Sequence, residues 1–545
     1  MPVPAHSIRS RPARGGPPSA RISRDPDILA SHLEDASHFP GGHVDGLVVA
    51  SSEADVAEAV RCARTILPIG AQSSLTGGAT PSGDTLLSTS RLTRIDAIGR
   101  DRVRVQAGVT LVDLDAALAA AGRYYPPTPT FTGAFVGGTV ATNAAGAATF
   151  KYGTTREWVL ALTVVLPNGE VLDIERGGTR AGADGAFDIV LSDRTVIVPV
   201  PRYRMPDVPK TSAGYFAAPH MDLIDLFIGS EGTLGVITEI TLRLVPVRPA
   251  PCLAFVPFAD AQGALAFVRR LRDAARTAWR TGDPAGLDIS AIEHMDARCL
   301  ALLREDGLDR LHAVPIPDRA AIALLVTLEL PPGTTAAEAY DQIGCARETA
   351  CDAPLTRLCR ELETAGVLGD VQLAVPGDRG RMAQLLAIRE AVPAAVNARV
   401  CRAKQTIDAR IAKTAADVLV PFERFDELLS FFDEELGRRG LDAATWGHVS
   451  DGNLHPNVIP HSWADVESGK EAILAFGREA IRLGGSPLAE HGVGRHPVKQ
   501  QLLQELYGRQ GIEDMRRVKR AIDPQWKLAP GVLFAQEPQG EPEID

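Results

Sequence analysis

Two histidines flanking a tight-turn signal are the strongest chemical feature of the chain. The run Trp446-Gly447-His448-Val449-Ser450-Asp451-Gly452-Asn453-Leu454-His455-Pro456-Asn457 holds an Asp-Gly dipeptide between two alternating stretches, which signals a hairpin with a two-residue loop. A turn at Asp451-Gly452 pairs Ser450 with Asn453, Val449 with Leu454 and His448 with His455. The imidazoles then face each other on neighbouring strands, with Cβ atoms about 4.5–5.5 Å apart. That arrangement suits one metal ion, and its bland alternative is an ordinary pair of hydrogen-bonded polar residues. Asn457 lies two residues beyond His455 and shares its face. Further on stands Leu488-Ala489-Glu490-His491-Gly492-Val493-Gly494. In an extended segment adjacent side chains point to opposite sides, so Glu490 can complete a His2Glu set while His491 turns elsewhere. His2Glu is a zinc ligand set that leaves a coordination position open.

Three runs of small residues carry a second kind of chemistry. The first is Pro68-Ile69-Gly70-Ala71-Gln72-Ser73-Ser74-Leu75-Thr76-Gly77-Gly78, directly after an apolar strand signal. The second, Gly137-Gly138-Thr139-Val140-Ala141-Thr142-Asn143-Ala144-Ala145-Gly146, leads to Lys151-Tyr152-Gly153. The third, Phe227-Ile228-Gly229-Ser230-Glu231-Gly232-Thr233-Leu234-Gly235-Val236-Ile237-Thr238, runs into a strand. Small side chains let a backbone approach closely, and successive N–H groups form an anion nest for a diphosphate. One such loop is as easily a tight surface turn, but three point to a long, flat, diphosphate-bearing ligand across several strand ends, and FAD has that shape. Neither G-x-G-x-x-G nor G-x-x-x-x-G-K-[ST] occurs in the chain, so the dinucleotide fingerprint and the Walker loop are both missing.

In order and spacing these three loops resemble the FAD domain of the vanillyl-alcohol oxidase and p-cresol methylhydroxylase superfamily, over about residues 40–245. The resemblance implies a flavin held by Pro68, Ile69, Gly70, Ala71, Gln72, Ser73 and Ser74, by Gly137, Gly138, Ala141, Thr142, Asn143 and Gly146, and by Glu231, Gly232 and Ile237. The first loop departs at Gln72, where relatives usually carry Gly or Asn. The segment 447–457, the run Ala489-Glu490-His491-Gly492-Val493-Gly494 and the ending Ile522-Asp523-Pro524 resemble the D-lactate and D-2-hydroxyacid dehydrogenase branch, which includes the glycolate oxidase flavoprotein subunit. That likeness implies His448, His455 and Glu490 as ligands of a divalent metal, zinc, with His491 as catalytic base and Asn457 near the substrate. Ile388-Arg389-Glu390 resembles the branch's arginine segment and implies that Arg389 clamps a substrate carboxylate, for which charge-assisted bidentate pairing suits arginine. The competing reading of Arg389 is a solvated charge on a helix that Pro393 breaks.

The activity implied is FAD-dependent oxidation of a D-2-hydroxy acid to the 2-oxo acid. Relatives acting on 2-hydroxyglutarate carry a hydroxyl residue four places after the arginine and a lysine two places before the Asp of the next strand. Here Pro393 and Ala415 stand there, with Lys413 displaced by two, which favours a monocarboxylic substrate of the D-lactate or glycolate kind. No iron–sulfur cysteine set is present, so the electron acceptor, a quinone, a cytochrome, an electron-transfer flavoprotein or oxygen, comes from outside. The alternatives are an oxidase or ether-lipid-type synthase on the same scaffold, or a catalytically silent flavin subunit of a complex. A zinc hydrolase lacks support from any H-E-x-x-H or G-x-S-x-G motif.

The elements that must position these residues read as α/β in the first half. Strands are predicted at 47–50, 66–69, 102–106, 159–166 and 171–174, the last two joined through Pro167-Asn168-Gly169. Ser52 with Asp55 three places on marks a helix start, continued by Val56, Ala59, Val60 and Ala63 on one face. A second helix is predicted at 111–121. Pro246, Pro249 and Pro251 mark a linker, followed by helices at 261–277 and 382–392 and a strand at 321–328. The resulting fold class is α+β: a two-subdomain α/β FAD-binding domain of p-cresol methylhydroxylase type at 26–247, and an α+β substrate or cap domain with an antiparallel sheet at 248–535. Residues 1–25 are expected to form a disordered basic tail and 536–545 an acidic one.

Composition bounds the partners. The chain has 545 residues, 45% hydrophobic and 23% charged, with 57 Lys and Arg against 68 Asp and Glu and a net charge of −11, which argues against a nucleic acid partner. No apolar stretch reaches the roughly 18 residues of a membrane span. The seven cysteines form no C-x-x-C pair and are expected to be reduced, mostly buried thiols. The location expected is cytoplasmic, at most peripheral to a membrane, or an organelle matrix if the arginine-rich opening is a presequence.

Overall fold

The computed structural model describes residues 6–127 and 129–535, and the chain divides into two compact units. The first comprises Met1–Gly146, Thr154–Pro246 and Ser486–Asp545; the second comprises Ala147–Gly153 and Val247–Gly485.

In the first unit the strands His43–Val49, Ser82–Ser88 and Ile66–Ile69 lie parallel in that spatial order, with Ile22–Ser23 antiparallel at one edge. Parallel neighbours need a crossover, and the helix Glu53–Cys62 supplies one. Ser52 caps it by accepting the Asp55 N–H at 3.1 Å, and its Val56, Ala59 and Val60 are buried with Ile66, Leu87 and Val165. A second, antiparallel sheet runs Arg102–Gln106, Val236–Arg243, Val159–Val165, Val171–Glu175. A third joins Ser7–Arg9, Ala186–Val190 and Thr195–Pro199. The first small-residue run leaves the strand Ile66–Ile69, the second overlaps the short helix Val136–Ala141, and the third leads into the strand Val236–Arg243.

Two expected boundaries differ from the structure. Residues 486–535 belong to the first unit, because Ile66–Ile69 is an edge strand with free backbone groups and the C-terminal segment occupies them. The Ile66 N–H donates to Lys527 O at 2.7 Å and the Ala529 N–H to Ile66 O at 2.6 Å. Buried Lys519, on the helix Pro497–Ile522, donates to Thr233 O, Asp523 Oδ2 and Leu528 O at 2.5–2.8 Å. The described part of the basic tail is likewise ordered. Arg11 pairs with Glu53 and Asp173, each at 2.6 Å, and the Asp55 carboxylate accepts the N–H groups of Ser19 and Ala20 at 2.6 and 2.9 Å. Arg14 also reaches Asp173 and Arg24 reaches Asp45, so acids from one helix and two strands hold this segment. The acidic tail 536–545 lies outside the described residues.

The second unit is built on an antiparallel sheet ordered Gln372–Ala374, Ala250–Phe258, Ile322–Leu330, Ile289–Met295, Ala443–His448, Asn453–Val458 and Thr414–Ala415, with Val418–Leu419 also paired to Asn453–Val458. The helix Arg379–Thr406 runs straight through Pro393. Val392, Ala395 and Val396 on either side are buried against Leu325 and Ile388, and this packing outweighs the hydrogen bond that proline removes. The cysteine expectation is corrected as well. Cys345 and Cys351 form a disulfide, their Cα atoms brought to 6.1 Å by the turn between the helices Ala336–Gly344 and Pro354–Thr364. Cys62 and Cys401 are exposed, and only Cys252, Cys299 and Cys359 are buried free thiols. Among the described residues no helix is long and apolar enough to cross a membrane.

Asp55 ties the N-terminal segment to this frame. Burial opposes its charge, but N–H groups of Ala20, Ser19 and Ser51 and the Ser51 hydroxyl hold its carboxyl below the ordinary range. Its contribution is therefore present above that range and lost as the pH falls. Asp55→Ala is expected to cost about 2–3 kcal/mol and to open residues 6–25 to proteases. Denaturant midpoints and limited proteolysis on both proteins measure this; an unchanged midpoint refutes it.

Candidate active site

The three small-residue runs meet around a cavity of about 550 Å³ in the first unit, within the size range of cofactor sites. Pro68, Ile69, Gly70, Ala71, Gln72, Ser73 and Ser74 line it from the first run, Gly137, Gly138, Ala141 and Thr142 from the second, and Glu231, Gly232 and Ile237 from the third. Asn143 and Gly146 are not in the lining. Asn143 instead accepts the Arg156 N–H at 3.0 Å from a left-handed backbone, which makes it a brace for its own loop. Gly137 and Gly138 have different reasons to be glycine. A Cβ at Gly137 would sit 2.6 Å from that of Ala107, whereas one at Gly138 meets nothing within 4 Å and would project into the cavity. Gln72 has φ 50°, a conformation that favours Gly or Asn. Its side-chain amide donates to His32 O at 3.0 Å and Ala79 O at 2.9 Å, which offsets the strain. A cradle of small residues and close backbone fits a flat, diphosphate-bearing group such as FAD.

Glu490 and His491 line the same cavity. They do not point apart: His491 Nε2 lies 3.5 Å from Glu490 Oε1, because the segment is bent, with Gly492 and Gly494 at φ 76° and 57°. The bend is held by Glu231, whose carboxylate accepts the N–H groups of Val493 and Gly494, each at 2.8 Å. A Cβ at Gly494 would come within 2.2 Å of Thr76 O. Burial pushes Glu231 up to about 7 against the pull of those two N–H groups. Buried Lys210, which no sequence pattern marks, donates to Glu490 Oε2 at 2.8 Å.

The two histidines belong to the second unit and share one face of its sheet, with ring centroids 5.5 Å apart and planes at 84°. Their register differs from the expected one. Trp446 pairs with His455, which places His448 diagonal to His455 across a four-residue loop, 449–452. That loop is open because it docks on the strand Ile289–Met295: the Ile292 N–H donates to Ser450 Oγ at 3.1 Å and the Ser450 N–H to Ile292 O at 3.3 Å. A local turn preference gave way to tertiary hydrogen bonds. His448 is the cross-strand partner of Glu293, and His448 Nδ1 lies 2.5 Å from Glu293 Oε1. His455 Nδ1 lies 3.4 Å from Asp417 Oδ1.

Arg389 is 9% exposed, so it is not a solvated helix charge. Its Nε donates to Glu293 Oε2 at 2.6 Å, and no hydrogen bond of its terminal Nη fork is found among the described residues. Burial raises the Glu293 carboxyl, but Arg389 and His448 outweigh it and bring it down to about 2. Asn457 is buried; its Nδ2 donates to His455 O at 2.9 Å, and its Oδ1 accepts nothing among the described residues. A buried acceptor without a donor fits a site that takes a ligand. Two imidazoles on one face fit a divalent ion. Sequence reasoning missed Glu293 and Asp417. The only signal of Glu293 is an acid inside the otherwise buried run Ile289–Met295.

Two outcomes follow from the cavity. Gly138→Trp, which fills the open side without a backbone clash, is expected to give a folded protein that neither retains nor takes up FAD, read from the visible spectrum. Glu231 prefers the protonated form in the fold, so its contribution to stability is lost as pH rises through about 7, amounting to about 2–3 kcal/mol. In Glu231→Gln apoprotein the drop in melting temperature between about pH 5 and pH 8 should shrink; an undiminished drop assigns it to other groups.

Residues 44–175 match the FAD binding domain family, and residues 252–533, more than half of the chain, match the FAD linked oxidases, C-terminal domain. The D-lactate dehydrogenase of Anaerostipes hadrus is 28% identical over 500 residues, covering 89% of each chain. The D-2-hydroxyglutarate dehydrogenase of Xanthomonas citri pv. viticola is 27% identical over 529 residues, covering 95% of each. A solved alkyldihydroxyacetonephosphate synthase shares the fold with a TM-score of 0.58 and 15% identity, over 96% of this chain and 88% of that one. With both halves matched in order, the chain belongs to the FAD linked oxidases and is an FAD-linked oxidoreductase.

Proposed function

We propose that the protein oxidises a D-2-hydroxy acid, of the monocarboxylic D-lactate or glycolate kind, to the 2-oxo acid and passes the electrons to an external acceptor. The observation that carries this reading is the pair His448 and His455 on one buried sheet face, beside an arginine whose Nη fork is open. Relatives of similar identity act, by name, on D-lactate and on D-2-hydroxyglutarate. Pro393 and Ala415, where a second carboxylate would be met, favour the smaller acid. Lys413, two residues earlier and pushed down to about 8 by burial, is the cation a dicarboxylic substrate would use instead.

When bound, FAD supplies a two-electron acceptor for the C2 hydride, and a divalent ion, zinc in this reading, supplies a Lewis acid. The protein's own residues do the rest. His448 and His455 offer imidazole nitrogens to the ion. Arg389 offers its Nη fork end-on to the carboxylate. Asn457 stands near the substrate, and His491 takes the hydroxyl proton. The loss of that proton and one hydride balances the conversion of hydroxy acid to oxo acid.

The decisive experiment adds D-lactate, glycolate, D-2-hydroxyglutarate or L-lactate anaerobically to the purified flavoprotein. Bleaching by a monocarboxylic D-2-hydroxy acid or glycolate is expected, and a flavin that no 2-hydroxy acid bleaches overturns the reading. His448→Ala and His455→Ala should each lose co-purified metal while FAD stays bound; Glu490→Ala, measured alongside, tests the third ligand that the sequence implies. His491→Asn should lower kcat by about 10²–10⁴-fold with FAD and metal retained, and near-wild-type turnover removes it as the base.

A further inference from the structure

Each of the two imidazoles is backed at Nδ1 by a buried carboxylate from the adjoining strand pair. Glu293 lies behind His448 at 2.5 Å and Asp417 behind His455 at 3.4 Å. Both acids are inaccessible, Glu293 at 6% and Asp417 at 0% exposure. Glu293 comes from the strand on the outer side of Ala443–His448, and Asp417 from the chain on the outer side of Asn453–Val458. Asp417 is itself oriented by Asn453, whose Nδ2 donates to its Oδ1 at 3.1 Å. Glu293 occupies Nδ1 of His448 with a hydrogen bond and Asp417 stands on the Nδ1 side of His455, so in each ring Nε2 is the nitrogen turned away from the carboxylate.

We infer that Glu293 and Asp417 are positioning residues that set Nε2 as the metal-binding atom of His448 and His455, and that Glu293 also sets the pose of Arg389. Glu293 divides its two oxygens: Oε1 serves His448 and Oε2 serves Arg389 Nε. With Nε occupied, the guanidinium can receive a carboxylate only end-on, through Nη1 and Nη2. One rigid side chain thus links the imidazole that holds an ion to the cation that orients an acid. Recognition then favours a ligand whose carboxylate and neighbouring hydroxyl are held at a fixed short separation, as in a 2-hydroxy acid. This inference rests on the metal reading proposed above.

The test is Zn²⁺ competition against a chromophoric chelator, on the purified flavoprotein and on Glu293→Gln, Asp417→Asn and Glu329→Gln. Glu329 is a buried carboxylate in the same sheet that pairs with Lys151 at 2.6 Å, so its variant reports the cost of any buried charge change. Glu293→Gln and Asp417→Asn should each weaken Zn²⁺ binding by about 10–100-fold, with FAD content and Glu329→Gln affinity unchanged. Glu293→Gln should also raise the KM for the hydroxy acid more than Asp417→Asn does. Wild-type protein that binds no Zn²⁺ overturns both the metal reading and this inference. Zn²⁺ binding that both variants leave intact overturns this inference alone, and complete loss in Asp417→Asn makes Asp417 a ligand and overturns its positioning role. If near-UV circular dichroism shows Glu293→Gln unfolded, Asp417→Asn decides.

Discussion

The second unit is organised around an ionised carboxylate kept out of water. Burying Glu293 alone would cost several kcal/mol, and it stays charged because Arg389 and His448 each meet one of its oxygens. That requirement propagates outward. Arg389 comes from the helix Arg379–Thr406, whose Ile388 and Val392 share a core with Leu325 of the sheet. His448 must stand directly across from Glu293, so the loop 449–452 has to reach Ile289–Met295. A buried polar cluster of this kind is a strict specification, because any partial version leaves an uncompensated charge.

The first unit solves a different problem, bringing backbone close around a cavity lined by three small-residue runs. Close approach explains Gly137 against Ala107 and Gly494 against Thr76. It also explains why Gln72 and Glu231 tolerate left-handed backbone: each spends its side chain on hydrogen bonds to main-chain groups. Glu231 thereby joins the third small-residue run to the bend that carries Glu490 and His491. The C-terminal segment is part of this frame because Ile66–Ile69 leaves a sheet edge that 527–529 completes.

Local chemistry was readable wherever it depends on neighbours in the chain. The cap at Ser52, the small-residue runs, the turn after Leu166 and the presence of His448, His455, Glu490 and His491 all follow from short-range pattern. Where the expectation failed, a distant group had changed the local balance. The Asp-Gly signal at 451–452 lost to hydrogen bonds with Ile292, and Pro393 lost to core packing on both sides of it. Arg11 of the N-terminal segment found acids 42 and 162 residues away, and Cys345 and Cys351 met through a turn between two helices.

The sequence alone was enough to identify an FAD-type cradle and a pair of imidazoles on one face, because loop composition and strand alternation are properties of contiguous residues. It could not show that Glu293 and Asp417 stand beside those imidazoles, since they lie 155 and 38 positions before the histidines they approach. Nor could it reveal Lys210 beneath Glu490, or that Glu231 serves the backbone of Val493 and Gly494. Protonation and orientation of a buried side chain are fixed by whatever the fold packs against it, and that information exists only once strands distant in sequence have become neighbours.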